Sequence, residues 1–195
     1  MRREEREESV LTDEQELIRL ARGLDQTVLT IIFDTYYRPL YRYLYHHIGH
    51  KTTAEDLAAE VFTRLLEQIR VGRGPERYLK AWLYRVAHNL AVDELRKRAY
   101  RDHDVLDETV AASGQSVSEL AHLAAQSQQA RMALAHLAPR QRTVVILKFL
   151  EGLENDEIAQ IMNLSVSAVK ALQHRGLAAL RRHLSRLGVE IEESV

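Results

Sequence analysis

The sequence predicts an all-α fold, with two small helical domains joined by a flexible linker and a helix-turn-helix in the second. Three observations predict it. Of 195 residues only 8 are Gly and 3 are Pro, too few turn formers for a sheet protein, while Ala, Leu, Arg and Glu are plentiful. Apolar residues recur at three- and four-residue intervals over long stretches, the period of a helix with one buried face. Between Arg101 and Gln115 that periodicity fails, and acidic and small residues end in Ala111-Ala112-Ser113-Gly114-Gln115, the composition of a connector.

Each element follows from its own signals. Thr12-Asp13-Glu14-Gln15 has the form of a capping box and opens a short amphipathic helix with Leu17, Ile18, Leu20 and Ala21, ending near Gly23. From Phe33 the apolar positions Tyr36, Tyr37, Leu40, Tyr41, Leu44, Tyr45 and Ile48 fall on one helical face; Pro39 is expected to kink this helix without ending it. Thr52 with Glu55 reads as a second capping box, followed by a buried stripe of Leu57, Val61, Phe62, Leu65, Leu66 and Ile69. Val71-Gly72-Arg73-Gly74-Pro75 stops that helix. A fourth, from about Arg77 to Ala99, is expected to bury Leu79, Trp82, Leu83, Val86, Leu90 and Leu95, with Arg85, Asn89, Asp93, Arg96 and Lys97 on its other side. Helical pattern resumes near Val117, breaks before Pro139, and continues through Val144, Val145, Leu147 and Leu150 to Gly152. The expected layout is an acidic extension over 1–25, a first domain over 26–100, linker and start of the second block over 101–131, a second domain over 132–188, and an acidic tail over 189–195.

Charge follows this layout. The formal net charge of −1 hides two basic blocks, +4 over residues 26–100 and +4 over 132–188, set between three acidic segments of −3 each. Basic blocks suit an anionic polymer, and acidic flanks oppose indiscriminate binding to it. With no Cys, a disulfide framework, a thiolate metal site and a thiol nucleophile are excluded. No apolar run approaches the ~20 residues of a membrane span and the N-terminus is charged, so no membrane insertion and a cytoplasmic location are expected. His46, His47 and His50 lack a carboxylate or Cys to complete a metal set, and no Gly-rich phosphate loop or catalytic motif is present, so no metal, cofactor or catalytic residue is expected. The tyrosines of the second helix read as core or docking surface before base stacking, and Trp82 as core.

Asn155 to Gln173 reads as a helix-turn-helix. Ile158 and Ala159 lie inside the first helix, Asn163 takes the left-handed turn position, Leu164 sits beneath it, Ser165 caps the next helix, and Val169 and Leu172 point inward. Ser167, Ala168, Lys170, Ala171, His174 and Arg175 then face outward, where the second helix of such a unit enters a major groove, with Arg175, Arg181 and Arg182 suited to phosphates.

Four motifs in order extend this reading. They are Phe33-Asp34-Thr35-Tyr36-Tyr37-Arg38-Pro39-Leu40-Tyr41; Ala54-Glu55-Asp56-Leu57-Ala58-Ala59-Glu60-Val61-Phe62; and Trp82-Leu83-Tyr84-Arg85-Val86-Ala87-His88-Asn89-Leu90-Ala91-Val92-Asp93 with the basic run Arg96-Lys97-Arg98. The fourth runs from Leu137-Ala138-Pro139-Arg140-Gln141-Arg142 through Glu151-Gly152-Leu153 and Glu157-Ile158-Ala159 to Ser165–Lys170 and Arg175. Together they resemble regions two and four of a bacterial sigma factor of the extracytoplasmic-function group, over most of residues 26 to 186.

The resemblance implies a division of labour. Helix 53–70 would bind the clamp helices of the polymerase β′ subunit through Asp56, Leu57, Glu60 and Phe62; Leu57 and Phe62 could equally be core, and Ala59 stands where the family commonly has Gln. The loop from Arg70 to Tyr78 and the exposed face of the fourth helix would capture the non-template strand of the −10 element, with Asn89 near a base and Arg85, Arg96 and Lys97 on phosphates. That is the chemistry an unstacked strand requires. Ser167, Lys170, Ala171, His174 and Arg175 would meet the −35 element, where the Ala171 methyl offers only apolar contact. Implied partners are core RNA polymerase (β′ clamp helices and β flap), promoter DNA and an anti-sigma factor; no nucleotide hydrolysis is implied. Two other readings stand beside it: a helix-turn-helix regulator with an N-terminal dimerisation or ligand domain, and a protein-binding adaptor.

Overall fold

The computed structural model describes residues 14–104 and 132–186. All regular structure among them is helical, and the chain divides into two compact units, one grouping the residues up to Leu95 with Gln160–Asn163 and the other the remainder from Arg96, so one division falls inside a helix.

In the N-terminal unit, α1 covers residues 14–22, α2 runs Gln26–Ile48, α3 Lys51–Arg70 and α4 Leu79–Asp104. Buried Ile18 and Ala21 tie α1 to the core; the expected cap at Thr12 and Asp13 lies outside the described residues. α2 starts seven residues before the expected Phe33. Asp25 is its N-cap, accepting from the Val28 N–H at 3.1 Å, and Gly49 closes it at φ 72°. Pro39 lies inside the helix, which continues past it to Ile48.

The buried face of α2 is turned from the expected one. Ile32, Leu40, Tyr43, Leu44, His47 and Ile48 are buried, whereas Phe33 is 42% exposed and Tyr36, Tyr37, Tyr41 and Tyr45 are half-buried. Two apolar arcs compete on this helix, and the aromatic one lies at its margin, stacking on itself and on α3. The cap of α3 also differs: His50, not Thr52, holds the position, its Nδ1 accepting from the Thr53 N–H at 3.3 Å. Ala54, Ala58, Val61, Phe62, Leu65 and Ile69 form the buried stripe of α3, with Leu57 and Leu66 half-buried.

α4 begins two residues later than expected and extends five further, to Asp104, so residues 101–104 are helix and not linker. Its core face is Leu79, Leu83, Tyr84, Ala87, Leu90 and Ala91. Trp82, Val86 and Leu95 are half-buried. The smaller alanines allow close helix approach, and Tyr84 packs edge-on against Tyr43 with ring centres 5.5 Å apart, a pairing worth roughly 1 kcal/mol beyond its burial. Beside it the Tyr43 hydroxyl meets His88 Nδ1 at 3.0 Å. Burial holds His88 below the ordinary imidazole pKa.

The C-terminal half of the chain contains α5, described over residues 132–135, then α6 (Pro139–Val145), a π turn (Ile146–Leu150), α7 (Asn155–Met162) and α8 (Val166–Arg186). Pro139 opens α6, where its missing N–H costs nothing. Arg142 then reaches back to the end of α5, donating from Nε to the Leu134 carbonyl at 2.8 Å and from Nη2 to that of Ala135 at 2.7 Å. The π turn was not expected. It widens the backbone by one residue, with the Glu151 N–H bonded to the Ile146 carbonyl at 3.0 Å, buries Leu147 and leaves Phe149 and Leu150 exposed. Leu150 therefore faces solvent, against the expected pattern. The start of this block at Val117, the remaining linker and the tail over 189–195 lie outside the described residues.

Candidate nucleic-acid interface

The helix-turn-helix is built by local chemistry. Asn163 sits at φ 52° just past α7, where an amide side chain tolerates the left-handed backbone. The Leu164 N–H then bonds back to the Ala159 carbonyl at 2.9 Å, satisfying a helix-end acceptor. Ser165 caps α8, its Oγ accepting from the Ala168 N–H at 3.2 Å. At the other end of α7, Glu157 accepts from the Glu154 N–H at 2.7 Å. Ile158, Ala159 and Val169 are buried at the crossing, while Leu164 and Leu172 are half-buried. Gln173 Nε2 donates to Asn155 Oδ1 at 2.6 Å, fastening α8 to the first residue of α7. These bonds fix the angle at which α8 presents its outer face.

On that face Ser167, Lys170, His174 and Arg175 are exposed, with Ala168 and Ala171 half-buried beside them; Arg181 and Arg182 are exposed further along. The Ser167 hydroxyl lies 3.0 Å from that of Ser165, so it is shared with the cap. α8 thus shows cations and short side chains along one face, with no bulky group to block close approach to a groove.

α4 has a comparable face. Arg85, Asn89, Arg96 and Lys97 are all exposed, together with Val92 and Asp93. They lie opposite Leu79, Leu83, Ala87 and Leu90, so the core holds one side of the helix and leaves an amide and three cations on the other. Trp82 belongs to the margin of this exposed side, which explains its half-burial.

The four α3 residues separate. Asp56 is exposed; Leu57 and Glu60 are half-buried; Phe62 is only 8% exposed. Glu60 accepts from Arg64 Nε at 2.9 Å. Phe62 packs against Phe33, ring centres 4.8 Å apart, and Phe33 stacks on Tyr37 at 4.9 Å. The aromatic ring presented to solvent beside α3 is therefore Phe33, which opens the first motif and was expected on the buried face; its neighbours Ile31 and Asp34 are exposed too. Among the described residues no group of three or more His, Asp or Glu is disposed to hold a metal, and no helix is long and apolar enough to cross a membrane.

The fold and these faces define a bipartite helical protein whose second unit is a helix-turn-helix and whose first carries a long helix, apolar on one side and cationic on the other. Two family models match it: "Sigma-70 region 2" over residues 32–101 and "Sigma-70, region 4" over 127–180. The chain is 31% identical to the ECF RNA polymerase sigma factor SigX of Bacillus subtilis (strain 168), over 83% of this chain and 86% of that one. It is 32% identical to SigW of the same organism, over 84% and 92%. The backbone superposes on CnrH, solved in complex with the cytosolic domain of CnrY, with a TM-score of 0.71 at 20% identity, over 89% of this chain and 97% of that one. The chain belongs to the extracytoplasmic-function group of sigma-70-family RNA polymerase sigma factors. That membership decides against the free-standing regulator and the adaptor.

Proposed function

We propose that, within that sigma-factor role, the exposed surfaces divide the promoter between them. The outer side of α3, through Asp56, Leu57 and Glu60, docks on the β′ clamp helices of core RNA polymerase, with Phe62 supporting from the core. Arg85, Asn89, Arg96 and Lys97 hold the non-template strand of the −10 element, the amide addressing a base edge and the cations the backbone. Ser167, Lys170, Ala171, His174 and Arg175 meet the −35 element as duplex, with Arg181 and Arg182 on flanking phosphates. The first module spans 26–100 and the second 132–188. The chain works in the cytoplasm without a cofactor or catalytic group of its own, contacts the β flap as well as β′, and is held in check by an anti-sigma factor.

The carrying observation is the opposition of faces on α4: an apolar side locked into the core and a polar cationic side exposed to solvent. Binding energy spent on the opened strand sustains melting without nucleotide hydrolysis. The test is in vitro transcription with core polymerase on a promoter this chain recognises. Asn89→Ala is expected to lower permanganate-detected melting while leaving gel-filtration assembly with core intact; unchanged melting in an Arg85→Ala, Asn89→Ala double variant overturns the assignment.

A further inference from the structure

The segment between α3 and α4 is fastened from a direction that neither motif nor periodicity announces. Glu14, in α1, accepts at Oε1 a hydrogen bond of 2.9 Å from the backbone N–H of Lys80, in the first turn of α4. Arg22, the last residue of α1, donates from Nη2 to the Pro75 carbonyl at 3.3 Å and lies 3.8 Å from the Glu76 carboxylate. Between these ties stands Tyr78 at φ 57°, a left-handed backbone that is unfavourable for a bulky residue and persists only where its surroundings over-determine it. Its carbonyl accepts from the Trp82 N–H at 2.9 Å, so Tyr78 starts α4, yet the residue is 42% exposed. Gly74 and Pro75 are buried in the same segment, and a Cβ on Gly74 would stand 3.0 Å from Ile69 Cγ1. The region 2 match begins at residue 32, so α1 lies outside it.

We propose that Glu14 and Arg22 are positioning residues for single-strand capture: α1 braces residues 71–80 in the shape that receives an unstacked base beside the exposed Tyr78 side chain. The inference rests on the reading that this segment and the α4 face hold the non-template strand. A loop already ordered in its binding shape spends no affinity on ordering when the strand arrives. The Glu14 carboxylate also lies at a helix N-terminus, where negative charge is favourable. The Arg22–Glu76 pair is well exposed and contributes little; the two bonds to backbone groups carry the brace.

The test uses the full chain assembled with core polymerase and two probes, a fluorescein-labelled single-stranded oligonucleotide carrying the non-template −10 sequence of a promoter it opens, and a duplex −35 fragment. Glu14→Ala and Arg22→Ala are each expected to weaken single-strand binding about fivefold, the effect of one lost hydrogen bond, with core assembly and duplex binding unchanged. Glu14→Gln keeps an acceptor oxygen and is expected to bind the single strand within about twofold of the parent. If both alanine variants bind the single strand as the parent does while Asn89→Ala loses it, the brace is refuted and the α4 reading survives. If Arg85→Ala and Asn89→Ala also leave single-strand binding unchanged, the α4 reading falls and takes the brace with it. Equal weakening of core, duplex and single-strand binding by Glu14→Ala means general destabilisation and overturns the proposal. Should Glu14→Ala fail to fold, the contrast between Arg22→Ala and Glu14→Gln decides.

Discussion

Gly176 of α8 and Val145 of α6 touch so closely that a Cβ on Gly176 would stand 2.9 Å from Val145 Cγ2. Val145 is buried and β-branched, so one χ1 rotamer is strongly preferred in the helix and leaving it costs energy. Glycine here buys helix approach at the expense of helix propensity.

Gly176→Ala is therefore expected to destabilise the C-terminal unit. Overpacking costs roughly 1–3 kcal/mol, while replacing a mid-helix glycine returns about 1 kcal/mol, leaving a net loss of about 1 kcal/mol. Gly176→Leu is expected to lose considerably more. Urea unfolding of the two variants checks the order, and a more stable Gly176→Ala contradicts the close contact.

Phe62 and Asp56 separate folding from docking. Phe62→Ala removes a buried ring and is expected to cost about 3 kcal/mol of stability, with lost polymerase binding as a secondary result. Asp56 is exposed; Asp56→Ala is expected to leave the melting temperature within a degree or two and to weaken assembly with core polymerase. A thermal melt and a core-binding titration on each variant give the contrast.

His88 makes the N-terminal unit acid-sensitive. Burial lowers its pKa below the ordinary 6.5, so the unfolded chain takes up this proton first as pH falls. The stability it contributes is complete above about pH 6.5 and is lost as pH falls from there through the lower folded value. Protonated His88 also carries a hydrogen on Nδ1, so the Tyr43 hydroxyl at 3.0 Å can then only accept. Stability measured at pH 7.5 and pH 5.5 should fall more steeply in the parent than in His88→Gln; equal slopes refute the assignment.

On α8, Lys170→Ala is expected to weaken binding to all −35 fragments alike and to reduce the slope of log affinity against log salt by about one. Ala171→Ser introduces a hydroxyl on the outer face of α8 and, under the proposed −35 contact, is expected to change sequence preference with the salt slope unaltered. Fluorescence anisotropy across salt concentrations distinguishes the two behaviours.

What could be read from the residues was what short-range chemistry decides. The left-handed Asn163, the Ser165 cap and the inward Ile158 and Val169 are specified by neighbours within a few positions, and the structure has them as expected. The rotation of α2 was hidden because both arcs are apolar and share Leu40, Leu44 and Ile48: Phe33, Tyr37 and Tyr41 compete with Val28, Ile32 and Tyr43, and only packing chooses between them. Trp82 drew the core assignment by its register with Leu79, Leu83 and Val86, yet Tyr84, Ala87 and Ala91 take the core because α4 is turned so that two alanines meet its neighbours. His50 displaced Thr52 as a cap since an imidazole nitrogen accepts as well as a hydroxyl oxygen does. The Glu14–Lys80 bond joins residues 66 positions apart, a pairing no local pattern encodes.

The outward ring of Phe33 has a practical corollary. With Ile31 also open to water on α2, an isolated copy displays greasy side chains on a molecule whose isoelectric point, about 6.8, removes nearly all long-range repulsion between copies near neutrality. Solutions of the uncomplexed chain should self-associate most readily around that acidity, and co-production with a binding partner is the natural way to keep it monodisperse.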